Sequence, residues 1–236
     1  MKTAPNFSAQ VPLWKRVFDI SVVVLLLPLL LVLGLLIALV IRLVSSGPVL
    51  FRQERVGHLG RKFMLFKFRT MHVGSDTNIH RGHLEELVNS NKPMVKMDSR
   101  GDRRIIPFGV LLRSSGLDEL PQLINVFRGD MSLVGPRPCM PYERKQYLPW
   151  QKERFNSLPG LTGLWQVSGK NKTTFLEMIQ LDIEYGRRKT LWLDLAIISK
   201  TIPALVVQMW EVRHGGKLTQ VPEHDEPVST VRTINE

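Results

Sequence analysis

Residues 20–41, ISVVVLLLPLLLVLGLLIALVI, decide the architecture: 22 positions without a charge, interrupted only by Ser21, Pro28 and Gly34. At about 1.5 Å per residue, a helix of this length reaches about 33 Å, the thickness of a bilayer's hydrocarbon core. The run is too long and too aliphatic for an ordinary buried helix. It also exceeds the apolar stretch of a secretory signal, about 7–15 residues, and Ser45-Ser46-Gly47-Pro48 beyond it is a poor cleavage site. Two readings remain. A simple spanning helix is one. Against it, Pro28 removes a backbone hydrogen bond in mid-run and favours a kink. Both flanks are also basic. Lys15 and Arg16 precede the run, and between positions 42 and 69 Arg42, Arg52, Arg55, Arg61, Lys62, Lys67 and Arg69 face one acid, Glu54. Positive flanks stay cytoplasmic, and a segment with both ends inside is a re-entrant helical hairpin, bent near Pro28. The residues by themselves leave both readings open.

The remainder of the 236-residue chain suffices for one domain with a real core. Lysine and arginine total 32 against 21 acids, a formal charge of +11 that suits nucleic acid, an anionic membrane surface or a phosphorylated substrate. The single cysteine, Cys139, excludes an intrachain disulfide.

Beyond the apolar run, Ser45-Ser46-Gly47-Pro48 signals a turn. Residues 49–55 and 62–69 alternate as two short strands around a 57–60 connection, a hairpin close to the membrane. Residues 72–102 read as a long polar loop with a short helix near 82–88. Leu117, Leu120, Ile124 and Phe127 have helical spacing, with Pro121 in the first turn and Gly129 as the stop. Residues 131–138 and 159–170 read as loops, and 142–155 and 174–189 as helices. Residues 191–210 are apolar but interrupted by Asp194, Ser199, Lys200 and Pro203. They suit a core helix, or one lying in the membrane interface with Trp192 and Trp210 near its ends, better than a second span. The pattern predicts an α+β chain: a polar lead over 1–14, a re-entrant membrane helix over 15–44, a small, mostly helical domain with a short β-hairpin over 45–210, and a disordered polar tail over 211–236.

Asp118 and Glu119 are adjacent acids at a predicted helix start, where free N–H groups favour carboxylate anions. Neighbouring helical residues point in different directions, so one carboxylate can face a reacting phosphorus while the other serves a metal or a neighbour. Gly135-Pro136-Arg137-Pro138 fixes a tight loop around one arginine, whose planar guanidinium suits bidentate phosphate binding. Alternation puts Lys67 and Arg69 on one strand face, and Arg113 precedes the acids by five positions. Acids beside constrained cations suit phosphoryl transfer, where the catalyst positions oxygens and neutralises charge. The sequence has no GxxxxGK[ST], HExxH or CxxC motif. Any metal should therefore be a hard one bound by carboxylate, phosphate and water, namely Mg²⁺.

Taken in order, these pieces resemble the bacterial sugar transferases, the monotopic polyprenyl-phosphate sugar-1-phosphate transferases. The ordered set begins with Lys15-Arg16-Val17-Phe18-Asp19, Gly47-Pro48, Phe51, Gln53, Arg55, Gly57 and Lys67-Phe68-Arg69-Thr70-Met71. It continues with Leu117-Asp118-Glu119-Leu120-Pro121-Gln122-Leu123, Asn125-Val126, Gly129-Asp130-Met131-Ser132 and Gly135-Pro136-Arg137-Pro138. Pro159-Gly160-Leu161-Thr162-Gly163-Leu164-Trp165-Gln166-Val167, Asp182, Tyr185 and Asp194 complete it. The resemblance implies a re-entrant helix broken at Pro28, in the bacterial inner membrane, with the catalytic domain on the cytoplasmic face. It implies a ping-pong reaction: Asp118 attacks the β-phosphate of a UDP-sugar, UMP leaves, and polyprenyl phosphate takes the phosphosugar. Glu119 would assist with Mg²⁺, which both acids could ligate, or with protons. Arg137, Lys67, Arg69 and Arg113 would hold phosphates. Asp182 and Tyr185 carry family pattern, as nucleotide-sugar contacts or as structure. The chain reads as the short form, without the several spanning helices that larger members place before the catalytic part. A homodimer at the membrane surface is compatible with it.

Two rivals stand beside this reading. A non-catalytic membrane-anchored scaffold of polysaccharide assembly would keep the hairpin and basic surface but would not need Asp118, Glu119 and Arg137 together. A nucleic-acid binder rests on charge alone; no binding motif supports it, and the basic stretch beside a membrane segment suits anionic lipid better.

Overall fold

A computed structural model describes residues 10–74, 82, 93, 104–169 and 173–214. Most of the expected loop over 72–102, the expected helix near 82–88 apart from Gly82, and the tail from 215 lie outside the described residues.

The apolar run lies within one 32-residue helix, α1 (Leu13–Val44), which continues through Pro28. It is not two helices joined by a turn. Proline removes only its own hydrogen bond, here the one to the Val24 carbonyl, and the aliphatic residues on either side keep the rest. Burial is confined to the ends. Lys15, Asp19 and Val23 are covered at the start and Ile37 and Ile41 near the finish, each set at four-residue spacing on one helix face. Leu25, Leu29, Leu31 and Leu35 between them are bare.

Both roots of α1 are tied down by polar contacts. Lys15 Nζ donates to Asp194 Oδ2 at 2.6 Å and to the Tyr185 hydroxyl at 2.8 Å. Lys15, one of the two basic residues that flank the run, is thus buried in an ion pair. Asp19 Oδ1 accepts from the Ser132 hydroxyl and the Leu133 N–H at 3.0 and 3.1 Å. Arg16 donates to the carbonyls of Val126 and Phe127. At the other root, the Arg69 guanidinium donates to the Ser45 hydroxyl and to the carbonyls of Ser45 and Ser46.

Strands β1 (Leu50–Val56) and β2 (Lys62–Phe68) form the expected antiparallel hairpin, with Leu50 opposite Phe68 and Val56 opposite Lys62. A short helix α2 (Gly109–Ser115) leads through Gly116 to a 3₁₀ turn (Leu117–Glu119) and then to α3 (Gln122–Arg128). Gly129 ends α3 in the left-handed region, φ 89°, as its position in the sequence predicts.

The two stretches read as loops contain a second, parallel sheet: β3 (Ser132–Val134) beside β4 (Gly160–Thr162). Strands of three residues are too short to show an alternation that can be read. Glycines permit the pairing. A Cβ on Gly135 would collide with the Leu158 carbonyl, one on Gly160 with the Gly135 nitrogen, and one on Gly163 with the Gly135 carbonyl.

The single helix expected over 142–155 is split into α4 (Pro141–Gln146) and a 3₁₀ segment (Trp150–Asn156). Pro149 pushes Leu148 out of the helical region. After a short α5 (Leu164–Val167), α6 (Phe175–Arg188) opens with a capping box between Thr174 and Glu177. The last helix, α7 (Leu191–His214), runs past the expected end at 210 and contains Pro203. It turns Asp194, Ile197, Thr201 and Gln208 towards the domain through burial or hydrogen bonds. Trp192, Leu195, Ile202, Val206, Val207 and Trp210 face outward. The docking is one-sided: α7 packs on the domain along one face and leaves an apolar outer face bare.

Because the β3–β4 contact leaves no room for a side chain, Gly160→Ala should lower stability by about 2 kcal/mol or more. Thermal unfolding of the detergent-solubilised protein checks this; an unchanged midpoint would contradict the close approach.

Candidate active site

The acidic pair sits on the 3₁₀ turn before α3, rather than inside the α-helix that the spacing predicts. Gly116, at φ 74°, lets the chain reverse from α2 into that turn. The turn sends the two carboxylates into different surroundings. Asp118 is buried, 7% exposed. Glu119 is about one-third exposed, and its Oε1 accepts from Lys67 Nζ at 2.7 Å. Lys67 reaches across from the end of β2, where it pairs in register with Phe51. An ion pair this open contributes about 0–1 kcal/mol to stability; its effect is to orient two charged groups beside Asp118.

Arg113 stands on α2 and donates from Nη1 to the Thr70 hydroxyl at 3.3 Å. Gln208 of α7 donates to the carbonyls of Arg113 and Ser114, at 3.3 and 3.1 Å, and so holds the end of α2 in front of the turn. Contacts between segments far apart in sequence thus set Lys67 against Glu119 and Arg113 against Thr70, with the buried Asp118 on the turn that α2 leads into.

Arg69 diverges from Lys67, although alternation puts them on one face. β2 ends at Phe68. Arg69 then folds under the domain, 5% exposed, onto the exit of α1. Arg137 lies in the loop after β3 and pairs through Nη1 with the fully enclosed Glu143 Oε2 at 3.0 Å. Asp182 and Tyr185 are both enclosed. Asp182 is in close contact with Arg154. The Tyr185 hydroxyl lies 2.8 Å from Asp194 Oδ1 and 3.0 Å from the Val134 carbonyl, tying α6 to α7 and β3. Burial pushes the Asp182 carboxyl up, to about 6, against the pull of Arg154.

Thr70, Glu143, Arg154 and Gln208 were not legible as site residues in the sequence. Thr70 falls inside the Lys67-Phe68-Arg69-Thr70-Met71 motif, and Glu143 and Arg154 follow the proline loop. Those positions were the only available signal.

Asp118 and Glu119 offer adjacent hard oxygen donors. Among the described residues no group of three or more His, Cys, Asp or Glu gathers to hold a metal. Two carboxylates completed by phosphate oxygens and water are the donor set that Mg²⁺ accepts, so these residues fit it.

The fold and the order of these residues define a membrane-associated transferase of the bacterial sugar transferase type. The model of that family matches residues 10–208, and the chain belongs to it. It is 43% identical over 204 residues to the UDP-glucose:undecaprenyl-phosphate glucose-1-phosphate transferase of Caulobacter vibrioides, covering 83% of this chain and 71% of that protein. It is 37% identical over 196 residues to the exopolysaccharide production protein ExoY of Sinorhizobium fredii, covering 81% and 84%. The UDP-galactose-lipid carrier transferase of Erwinia amylovora is 41% identical over 198 residues, but these cover 80% of this chain and only 39% of that longer protein.

Burial pushes the Glu143 carboxyl up, but Arg137 and Arg55 outweigh it and leave the group below its ordinary value of 4.5. A carboxylate depressed in the folded state stabilises fully above its unfolded pKa and loses that contribution as pH falls through the folded value. Thermal midpoints should therefore drop as pH falls below about 4.5, and Glu143→Gln should flatten that drop. An equally steep drop in the variant would contradict it.

Proposed function

We propose that this chain transfers a sugar-1-phosphate from a UDP-sugar to undecaprenyl phosphate, through a covalent intermediate on Asp118. The observation that carries the reading is a buried Asp118 on a tight turn, where the adjacent Glu119 pairs with Lys67 of β2 and the helix leading into the turn bears Arg113. Asp118 Oδ attacks the β-phosphorus; the bond from that phosphorus to the bridging oxygen breaks, and UMP leaves with the oxygen. An oxygen of undecaprenyl phosphate then attacks the same phosphorus. The acyl phosphate bond breaks, Asp118 returns as a carboxylate, and the product is the sugar diphosphate lipid. Two easier displacements replace one difficult transfer.

Lys67, Arg113 and Arg137 bind the phosphate oxygens, with Arg69 securing the chain behind them. Glu119 orients Lys67 and, with Asp118, would hold Mg²⁺. When bound, the ion supplies neutralisation of charge on the phosphates. This is the first membrane step of exopolysaccharide, O-antigen or other glycan assembly. The names of the relatives include both glucose and galactose at similar identity, so the family match does not single out a sugar.

The acceptor's lipid tail requires a site at the bilayer surface. We take α1 as a re-entrant helix bent at Pro28 in the bacterial inner membrane, with the catalytic domain on the cytoplasmic face. Its packing supports this. Val23 belongs to one core cluster with Leu65 and Ile37 to another with Phe68. A straight helix would separate Val23 and Ile37 by about 21 Å, whereas three residues of strand span only about 10 Å. Bending α1 brings its two buried ends within reach of the same strand. A membrane-surface homodimer is compatible with this placement.

Purified protein in detergent or nanodiscs, supplied with Mg²⁺ and undecaprenyl phosphate, should release UMP from one of a panel of UDP-sugars. Asp118→Asn should abolish release while leaving membrane insertion intact. Release that survives the substitution would refute Asp118 as nucleophile, and no release with any donor from folded protein would return the scaffold reading. For topology, single cysteines at Gln10 and Ser46, in a Cys139→Ser background, should both react with a membrane-impermeant thiol reagent from the cytoplasmic side of inverted vesicles. Labelling from opposite sides would establish a spanning helix instead.

A further inference from the structure

The loop carrying Arg137 is gripped at every residue. The Pro136 carbonyl accepts from the Gly160 N–H at 2.9 Å. The Arg137 carbonyl accepts from Arg154 Nη2 at 2.8 Å, and that of Pro138 accepts from Arg55 Nη1 at 3.1 Å. Arg154 is itself held by the Tyr147 hydroxyl and Asp182. These bonds fix the backbone. One contact fixes the side chain: Glu143 Oε2 accepts from Arg137 Nη1 at 3.0 Å, and the same oxygen lies 3.4 Å from the Tyr147 hydroxyl. Glu143 is fully enclosed while the Arg137 side chain remains 21% exposed, so the carboxylate holds the guanidinium from its buried edge.

The balance of charge fits a receptor for an anion. Counted by formal charge, the three guanidinium groups of Arg55, Arg137 and Arg154 outnumber the two carboxyl groups of Glu143 and Asp182 in this cluster. The second oxygen of Glu143, Oε1, is buried without a hydrogen-bond partner. A carboxylate kept in such surroundings costs stability unless its charge is matched by the guanidinium it touches. Glutamine at this position would keep the shape and lose that match.

From this geometry we infer that Glu143 is a positioning residue for the transfer reaction, orienting the Arg137 guanidinium so that its exposed edge meets the donor's phosphates. The inference rests on the assignment of Arg137 to phosphate binding made above. Glu143 touches no substrate; it acts only through Arg137. Arg154 and Asp182 hold the backbone on which that orientation depends.

The test is a double-mutant cycle on full-length protein in nanodiscs. It measures kcat and KM for UMP release with UDP-glucose and UDP-galactose as donors, beside thermal midpoints and the Asp118→Asn control. Glu143→Gln should lower kcat/KM by about tenfold or more, the scale of a lost charge-assisted hydrogen bond, mainly through a higher KM. Glu143→Asp, which keeps the charge on a shorter arm, should recover part of the loss. Arg137→Met combined with Glu143→Gln should fall within about twofold of Arg137→Met alone. A loss that multiplies in the double variant would overturn the proposal, because Glu143 would then act independently of Arg137. Normal kinetics in Glu143→Gln beside an impaired Arg137→Met would overturn it too. Should Glu143→Gln fail to fold, the same cycle run with Glu143→Asp decides between these outcomes. Normal kinetics in Arg137→Met would remove both the phosphate assignment and this inference. Wild-type activity that depends on Asp118 would still support the transferase reading in that case.

Discussion

The buried contact between Lys15 and Asp194 is the joint on which the remaining structure depends. It joins the first turn of α1 to the first turn of α7, and the Tyr185 hydroxyl adds α6 and the end of β3 to the same point. Taking one partner away from such a pair costs about 3–5 kcal/mol, because the other charge is left stranded. Asp19, one turn further along α1, holds Ser132 and Leu133 at the start of β3. The root of the membrane helix and the strand that leads into the arginine loop are therefore one assembly. Under the proposed reaction, chemistry on a lipid-borne phosphate has to be held at a fixed depth relative to the bilayer, and this joint would supply the rigid link.

From that joint the chain reaches the site by two routes. Along β3, the pairing with β4 and the tight approach of Gly135, Gly160 and Gly163 set where Arg137 stands. Along α7, Gln208 ties down the end of α2 and so the turn bearing Asp118 and Glu119. The outer face of α7, with Trp192 and Trp210 towards its ends, is apolar and bare. A single helix thus contacts both the joint and the end of α2 that leads into the acidic turn, and keeps an apolar outer face.

The distribution of charge follows the same division. Near the acidic turn, the Lys67–Glu119 pair is partly open to solvent. Behind the arginine loop, Arg154, Asp182 and Glu143 are enclosed, with Arg154 set against Asp182 and Glu143 against Arg137. The open groups can change partners, and the enclosed ones cannot move without a large penalty.

Much of this was readable before folding. Length and aliphatic composition marked the long apolar helix, period-two alternation marked the β1–β2 hairpin, and the spacing and the stop at Gly129 marked α3. The ordered motifs marked the family and the acidic pair. Those signals are local, carried by neighbours along the chain. Tertiary structure alone decided the rest. It buried Lys15 in an ion pair rather than leaving it in solvent, turned Arg69 away from Lys67, made parallel strands of two glycine-containing loops, and placed Glu143 behind Arg137. Each of these depends on a partner far away in sequence, and a side chain's charge does not reveal which distant group will neutralise it.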